Sequence, residues 1–222
     1  MQSTDPPAAA PPGAPPPPLG EPLPVELMNT VWADREGVYD ALVDAGDLAR
    51  WLRAVEGYFS PPLELDGPRT GAGAVSGPDG PPVEWFRELR DALRRLAAVA
   101  TEDTRPAAVS PVASLAAAVA AVNRACAHAP GWSYLSWNEG EPPARADGSS
   151  YGPEARALSR IAEESVLLFT GPGAAELRAC HAPGCVRYFV RAHPRREWCS
   201  AGCGNRARVA RHYRRHHPGG VS

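Results

Sequence analysis

The sequence predicts a mainly α-helical chain: a helical N-terminal domain followed by a small C-terminal module built in the order knuckle, β-hairpin, helix. Three observations carry this. Apolar residues recur every three or four positions along four separate stretches of the N-terminal part. Four of the five cysteines crowd into the short stretch Cys180 to Cys203. The net charge of −2 hides two opposite parts: residues 174–222 hold ten arginines against Glu176 and Glu197, whereas residues 1–173 hold thirteen against twenty-three acids.

A chain of 222 residues, 44% of them hydrophobic, makes one full-sized domain with an appendage, or two small domains. Residues 1–24 contain ten prolines and are expected to form a disordered tail, so that deleting residues 1–22 leaves thermal stability unchanged. Residues 25–173 read as the helical domain. Its first helix is expected over 37–55, with Val38, Leu42, Leu48, Leu52 and Val55 on one stripe. The second spans 82–100 with Trp85, Phe86, Leu89, Leu93 and Leu96. The third opens with Ser110 as N-cap and Pro111 at the first helical position, then shows Val112, Leu115, Val119 and Val122. The fourth covers 153–169 and stops at Gly171-Pro172. Residues 60–81 and 138–152 read as loops, and the alternating 132–137 as a strand or hairpin arm. The tryptophans and Cys126 are expected to pack, and His128 to cap a helix end.

The N-terminus has neither the basic nor the apolar region of a secretory signal. The nearly apolar run Val112 to Val122 is too short to cross a bilayer. The chain is therefore expected to be cytoplasmic, with no membrane partner. No paired carboxylates at a distinctive spacing, no G-x-S-x-G and no phosphate loop are present, so no enzymatic activity is expected.

The information is concentrated in Cys180-x4-Cys185-x13-Cys199-x3-Cys203. In a reducing compartment such a cluster reads as metal ligands before disulfides. Zinc takes four thiolates at tetrahedral corners, and two close pairs separated by an excursion supply them. Pro183-Gly184 suits the first knuckle. ValArgTyrPheVal (186–190), a turn near His193-Pro194 and GluTrpCys (197–199) read as a hairpin. Cys199 and Cys203 then sit one helical turn apart, a treble-clef-like order over residues 174–217. One structural zinc is expected, with Cys180, Cys185, Cys199 and Cys203 as ligands. A closed thiolate shell leaves no position for a reacting water. Replacing Cys199 or Cys203 by serine is expected to unfold the module and spare the helical domain.

Beyond the last cysteine, Arg208, Arg211 and Arg215 fall on one helical stripe, with Arg206 and Arg214 on its flanks. Like charges at these spacings repel, and phosphate is the partner that relieves them. These five arginines are the candidate nucleic-acid contacts, for DNA or RNA. Asn205 and Arg206 adjoin a ligand, where hydrogen bonds to sulfur or backbone are the expected task.

The string WCSAGCGNRARVARHYRR (198–215), with the Cys180–Cys185 pair and Phe189 behind it, resembles the CGNR zinc-finger family. LeuMetAsnThrVal (27–31) and AspLeuAlaArgTrpLeu (47–52) resemble the ABATE domain that precedes that finger, described as a stress-induced transcription regulator. Arg191 and His193 stand where family members commonly carry an acid and a serine, and Arg208 where they carry lysine. The resemblance implies a zinc-bearing regulator. Together with the arginine stripe, it points to a bacterial transcription regulator that binds DNA through its C-terminal helix, with a homo-oligomer or a protein partner left open. The alternative is an interaction adaptor whose basic module docks on an acidic surface, either a partner's or that of its own body.

Overall fold

The computed structural model describes residues 15–60, 63 and 83–216. The expected tail over 1–14, and the expected loop over 61–62 and 64–81, lie outside the described residues. The fold is mainly α, with three two-stranded antiparallel sheets among the described residues.

Three longer helices frame the N-terminal part: α3 (Val83–Ala100), α4 (Leu115–Cys126) and α5 (Pro153–Thr170). They pack in sequence order, and a short helix, α1 (Leu23–Met28), lies against α3 and α5. Every residue of α1 is buried. The fourth predicted helix matches α5 closely, because Pro153 supplies a first-turn residue needing no amide partner. The second likewise matches α3.

Two boundaries differ from expectation. Residues 37–44 do not begin a helix: Val31–Ala33 (β1) and Val38–Asp40 (β2) form a hairpin, with Trp32 stacked on Tyr39 at 4.6 Å. Asp34 Oδ1 accepts from the amides of Glu36 and Gly37 and closes the turn. Helix α2 (Ala45–Val55) starts only at Asp44, whose carboxylate forms a reciprocal capping box with Asp47. Similarly, Ser110 is no helix cap. Its hydroxyl donates to the Asp91 carbonyl at 2.6 Å and ties the loop to α3. Ser114 caps α4 instead, accepting from the Ala117 amide.

The arm at 132–137 is a strand, β3 (Gly131–Ser136), but its partner β4 (Ala144–Ser149) lies inside the expected 138–152 loop. Its sequence, AlaArgAlaAspGlySer, has no large or β-branched apolar residue to reveal it. Trp85, Trp132 and Trp137, expected to pack, are exposed. Cys126 is half-buried against the core. His128 stacks edge-on against Trp85 at 4.3 Å, and Ala127 rather than His128 is the α4 C-cap.

The end of the expected tail belongs to the fold. Glu21 is 3% exposed, accepts from the Val190 amide at 2.9 Å and pairs with Arg196 of the C-terminal module. Leu19 packs against the cysteine cluster, and its amide donates to Glu26. Burial raises the Glu21 carboxyl, opposed by the Val190 amide and Arg196. Deleting residues 1–22 is therefore expected to lower the melting temperature, where the sequence alone predicts no change. Glu21→Ala leaves Arg196 without its counter-charge and the Val190 amide without its acceptor, and is expected to cost about 2 kcal/mol, read as a lower melting temperature.

Candidate metal centre

The C-terminal module begins with β5 (Leu177–Ala179) and β6 (Tyr188–Val190), paired in the register Leu177↔Val190 to Ala179↔Tyr188. The knuckle is the connection of this hairpin. The hairpin thus flanks Cys180 and Cys185 rather than following them, and no strand forms at 193–199. Within the knuckle the Cys185 amide returns to the Ala182 carbonyl at 2.9 Å, across Pro183-Gly184. Gly184 has φ +73°, which a side chain at this position would strain. Cys199 then precedes α6 (Ala201–His216), and Cys203 lies in its first turn, where the Ser200 hydroxyl accepts the Cys203 amide.

These elements bring four buried sulfurs within 4.8 Å of one another. The separations of 3.8 Å for Cys185–Cys199 and 3.4 Å for Cys199–Cys203 lie close to the edge of about 3.8 Å that a tetrahedron of zinc–sulfur bonds requires. None of the cysteines is in a disulfide. Taken alone, the four thiols titrate as one set. A hydrogen bond from Cys180 lowers Cys185 to about 7, and bonds from Cys180, Cys185 and Cys199 hold Cys203 far below the usual thiol range. Cys180 and Cys199 are pushed up by the same neighbours. Only a cation lets all four ionise, and the donor set and spacing fit zinc.

Positive groups answer the remaining negative charge. Arg206 donates to Cys203 Sγ at 3.0 Å, and the Cys199 amide approaches Cys180 Sγ at 3.5 Å. The α6 N-terminus adds its dipole. Arg206 thus performs the task expected of it beside the ligand, but Asn205 does not: its side chain is exposed and makes no hydrogen bond to a described residue. Arg206→Ala is expected to weaken zinc affinity about tenfold in a chelator competition, with DNA affinity nearly unchanged.

A seam of buried hydrogen bonds joins the module to the body. Arg94, 3% exposed on α3, donates to the carbonyls of Met28, Ala108 and Val186 at 3.0–3.3 Å. Arg105 donates to the carbonyls of Cys180 and Cys185 at 2.7 and 2.9 Å, two metal-ligand residues. Both guanidiniums lie over the Tyr188 ring, whose hydroxyl donates to Asp103 at 2.7 Å. Burial alone would raise the Asp103 carboxyl, yet hydrogen bonds from Arg105 and Tyr188 outweigh it and hold it at about 2. Burial, reinforced by that bond, pushes Tyr188 up to about 12. The Asn29 amide both donates to and accepts from the Tyr188 backbone at 2.9 Å, so the Asn-Thr signature holds the module. Leu177, Ala179 and Tyr188 belong to the main core. Asn29 lies in the Asn-Thr signature, whereas Arg94, Asp103 and Arg105 belong to no motif in the sequence. The available signal was Arg90 and Arg94 four apart on the apolar side of α3.

The remaining arginines point elsewhere. Arg178 and Arg191 approach Glu176, and Arg196 pairs with Glu21. Arg208, Arg211, Arg214 and Arg215 are exposed and form no ion pair among the described residues. At 100° per residue, Arg208, Arg211 and Arg215 share one side of α6, with Arg214 next to them and Arg206 on roughly the opposite side from Arg208.

Residues 21–172 match the family ABATE, described as "Putative stress-induced transcription regulator". Residues 176–216 match the CGNR zinc finger. Neither family is an enzyme class. No curated protein matches the chain. No described helix is long and apolar enough to cross a membrane. With most of its length in the first match and its sulfur tetrahedron in the second, the chain belongs to the ABATE family and carries a C-terminal zinc-binding CGNR finger.

Proposed function

We propose that this chain is a cytoplasmic bacterial transcription regulator that binds DNA through α6. The observation carrying this reading is the state of its arginines. Arg208, Arg211, Arg214 and Arg215 remain exposed and free of ion pairs among the described residues, although the chain carries acids elsewhere in excess. The module does dock on its own body, as the adaptor reading allowed. It does so through the knuckle, β6 and Arg196, which leaves the helix face available. Phosphate oxygens are the partner that relieves this repulsion, and they position a protein on a duplex without specifying sequence. Arg206, engaged on sulfur, is withdrawn from the proposed contact set. The helical body and the module's metal site act as the mount that aims the helix.

Replacing Arg208, Arg211 and Arg215 together by alanine is expected to weaken binding to a mixed-sequence duplex about a hundredfold at low salt. Replacing Arg178 and Arg191, both held by Glu176, is expected to change it less than threefold. Equal losses in the two variants would overturn the assignment of α6. Competition by duplex RNA at equal affinity would redirect the reading to RNA.

A further inference from the structure

We propose that the cleft between the β3–β4 hairpin and α5 binds a small aromatic carboxylate. A cavity of about 450 Å³ separates the two elements, a size typical of small-ligand sites. Its walls differ in chemistry.

One wall is aromatic. Strand alternation sends Trp132 and Tyr134 to the same side of the hairpin, where both line the cavity while remaining 55% and 51% exposed. Opposite Trp132 in the register stands Gly148, and a Cβ there would come within 2.7 Å of the indole. The absent side chain lets the ring lie across β4. Rings placed this way offer faces to a flat ligand.

The other wall is a face of α5 carrying Arg156, Ser159, Arg160 and Glu163 at helical spacing. Ser159 is committed to the backbone, accepting from Ala129 and donating to Ala125. Arg160 is committed to the Ser60 carbonyl and lies over the Phe59 ring at 5.4 Å. Arg156 is different. Its Nε is buried without a hydrogen-bond partner, and it forms no ion pair among the described residues. Burying a charged donor unpaired is unfavourable, and a carboxylate presents the two parallel acceptors a guanidinium matches. Glu163 lines the same cavity and opposes a more highly charged anion, which selects a monocarboxylate over a phosphate monoester.

The test is an isothermal titration of the zinc-loaded full chain with benzoate, alongside benzamide, its neutral isostere. Benzoate is expected to bind with Kd about 1 mM, as a fragment of its size can. Benzamide is expected to bind at least about tenfold more weakly, and Arg156→Met and Trp132→Ala each to reduce benzoate affinity by a similar factor. Without benzoate, the melting temperature of Arg156→Met should equal or exceed that of the wild type, because the variant removes an unpaired buried donor. Absence of saturable benzoate binding, equal binding of benzamide, or undiminished affinity in Arg156→Met would overturn the proposal. So would a marked fall in the Arg156→Met melting temperature, which would make Arg156 a structural residue.

Discussion

Stripping zinc from the chain is expected to unfold the helical body along with the C-terminal module. Apparent zinc-binding free energies of small four-ligand modules run to about 10 kcal/mol or more, comparable with the whole stability of a domain. Here that free energy is transmitted. Leu177, Ala179 and Tyr188 are part of the main core, and the carbonyls of Cys180 and Cys185 hold Arg105. Once the knuckle loses its shape, Arg105 loses the carbonyls of Cys180 and Cys185, Arg94 loses that of Val186, and Asn29 loses the Tyr188 backbone. Calorimetry with and without a strong chelator should show one transition moving down by about 10 °C or more, with the near-ultraviolet dichroism of Trp32 and Trp51 lost in step. Cys199→Ser should behave in the same way. A body transition that stays in place while a small separate one disappears would restore the two-module expectation drawn from the sequence.

The second large effect is expected at Arg94. Arg94→Met keeps much of the side-chain volume but leaves the carbonyls of Met28, Ala108 and Val186 without their donor. These groups come from α1, the loop before α4 and the knuckle, so one substitution loosens three parts of the seam. A cost of about 3–5 kcal/mol follows, or a fall of roughly 10 °C in a chain of this size. Arg95→Met on the same helix is the control. Arg95 is half-buried with its Nε unpartnered, and its loss should shift the melting temperature by a degree or two at most. Equal losses at the two positions would mean that the seam carbonyls contribute nothing specific.

What the sequence made legible is what repeats or clusters locally. The apolar stripes of α3 and α5 follow helical periodicity, and Pro153 and Gly171 mark the ends of α5. The four cysteines lie within one short stretch, so spacing alone indicates a metal. The seam was not legible because its partners are remote. Arg94 reaches Val186 across 92 residues, and Arg105 reaches Cys180 across 75. Backbone carbonyls as acceptors leave no trace in side-chain patterning. The same reason hid β4, whose pairing with β3 is carried by backbone. Glu21 was hidden by its company: proline content marked its neighbourhood as tail, while its carboxylate is bound by the Val190 amide and Arg196. In the case of β1–β2, a helical stripe through Val38 and Leu42 competed with the Trp32–Tyr39 stack and the Asp34 turn, and the local turn chemistry prevailed.

That α6 is a phosphate-binding surface is tested most directly by titrating a fluorescent mixed-sequence duplex with zinc-loaded protein across a range of salt concentrations. Four exposed arginines contacting phosphates give a log–log slope of about −3.6, and the variant lacking Arg208, Arg211 and Arg215 should retain a slope of about −1. A flat salt dependence, or no binding even at low ionic strength, would contradict the account and turn the helix toward a protein partner.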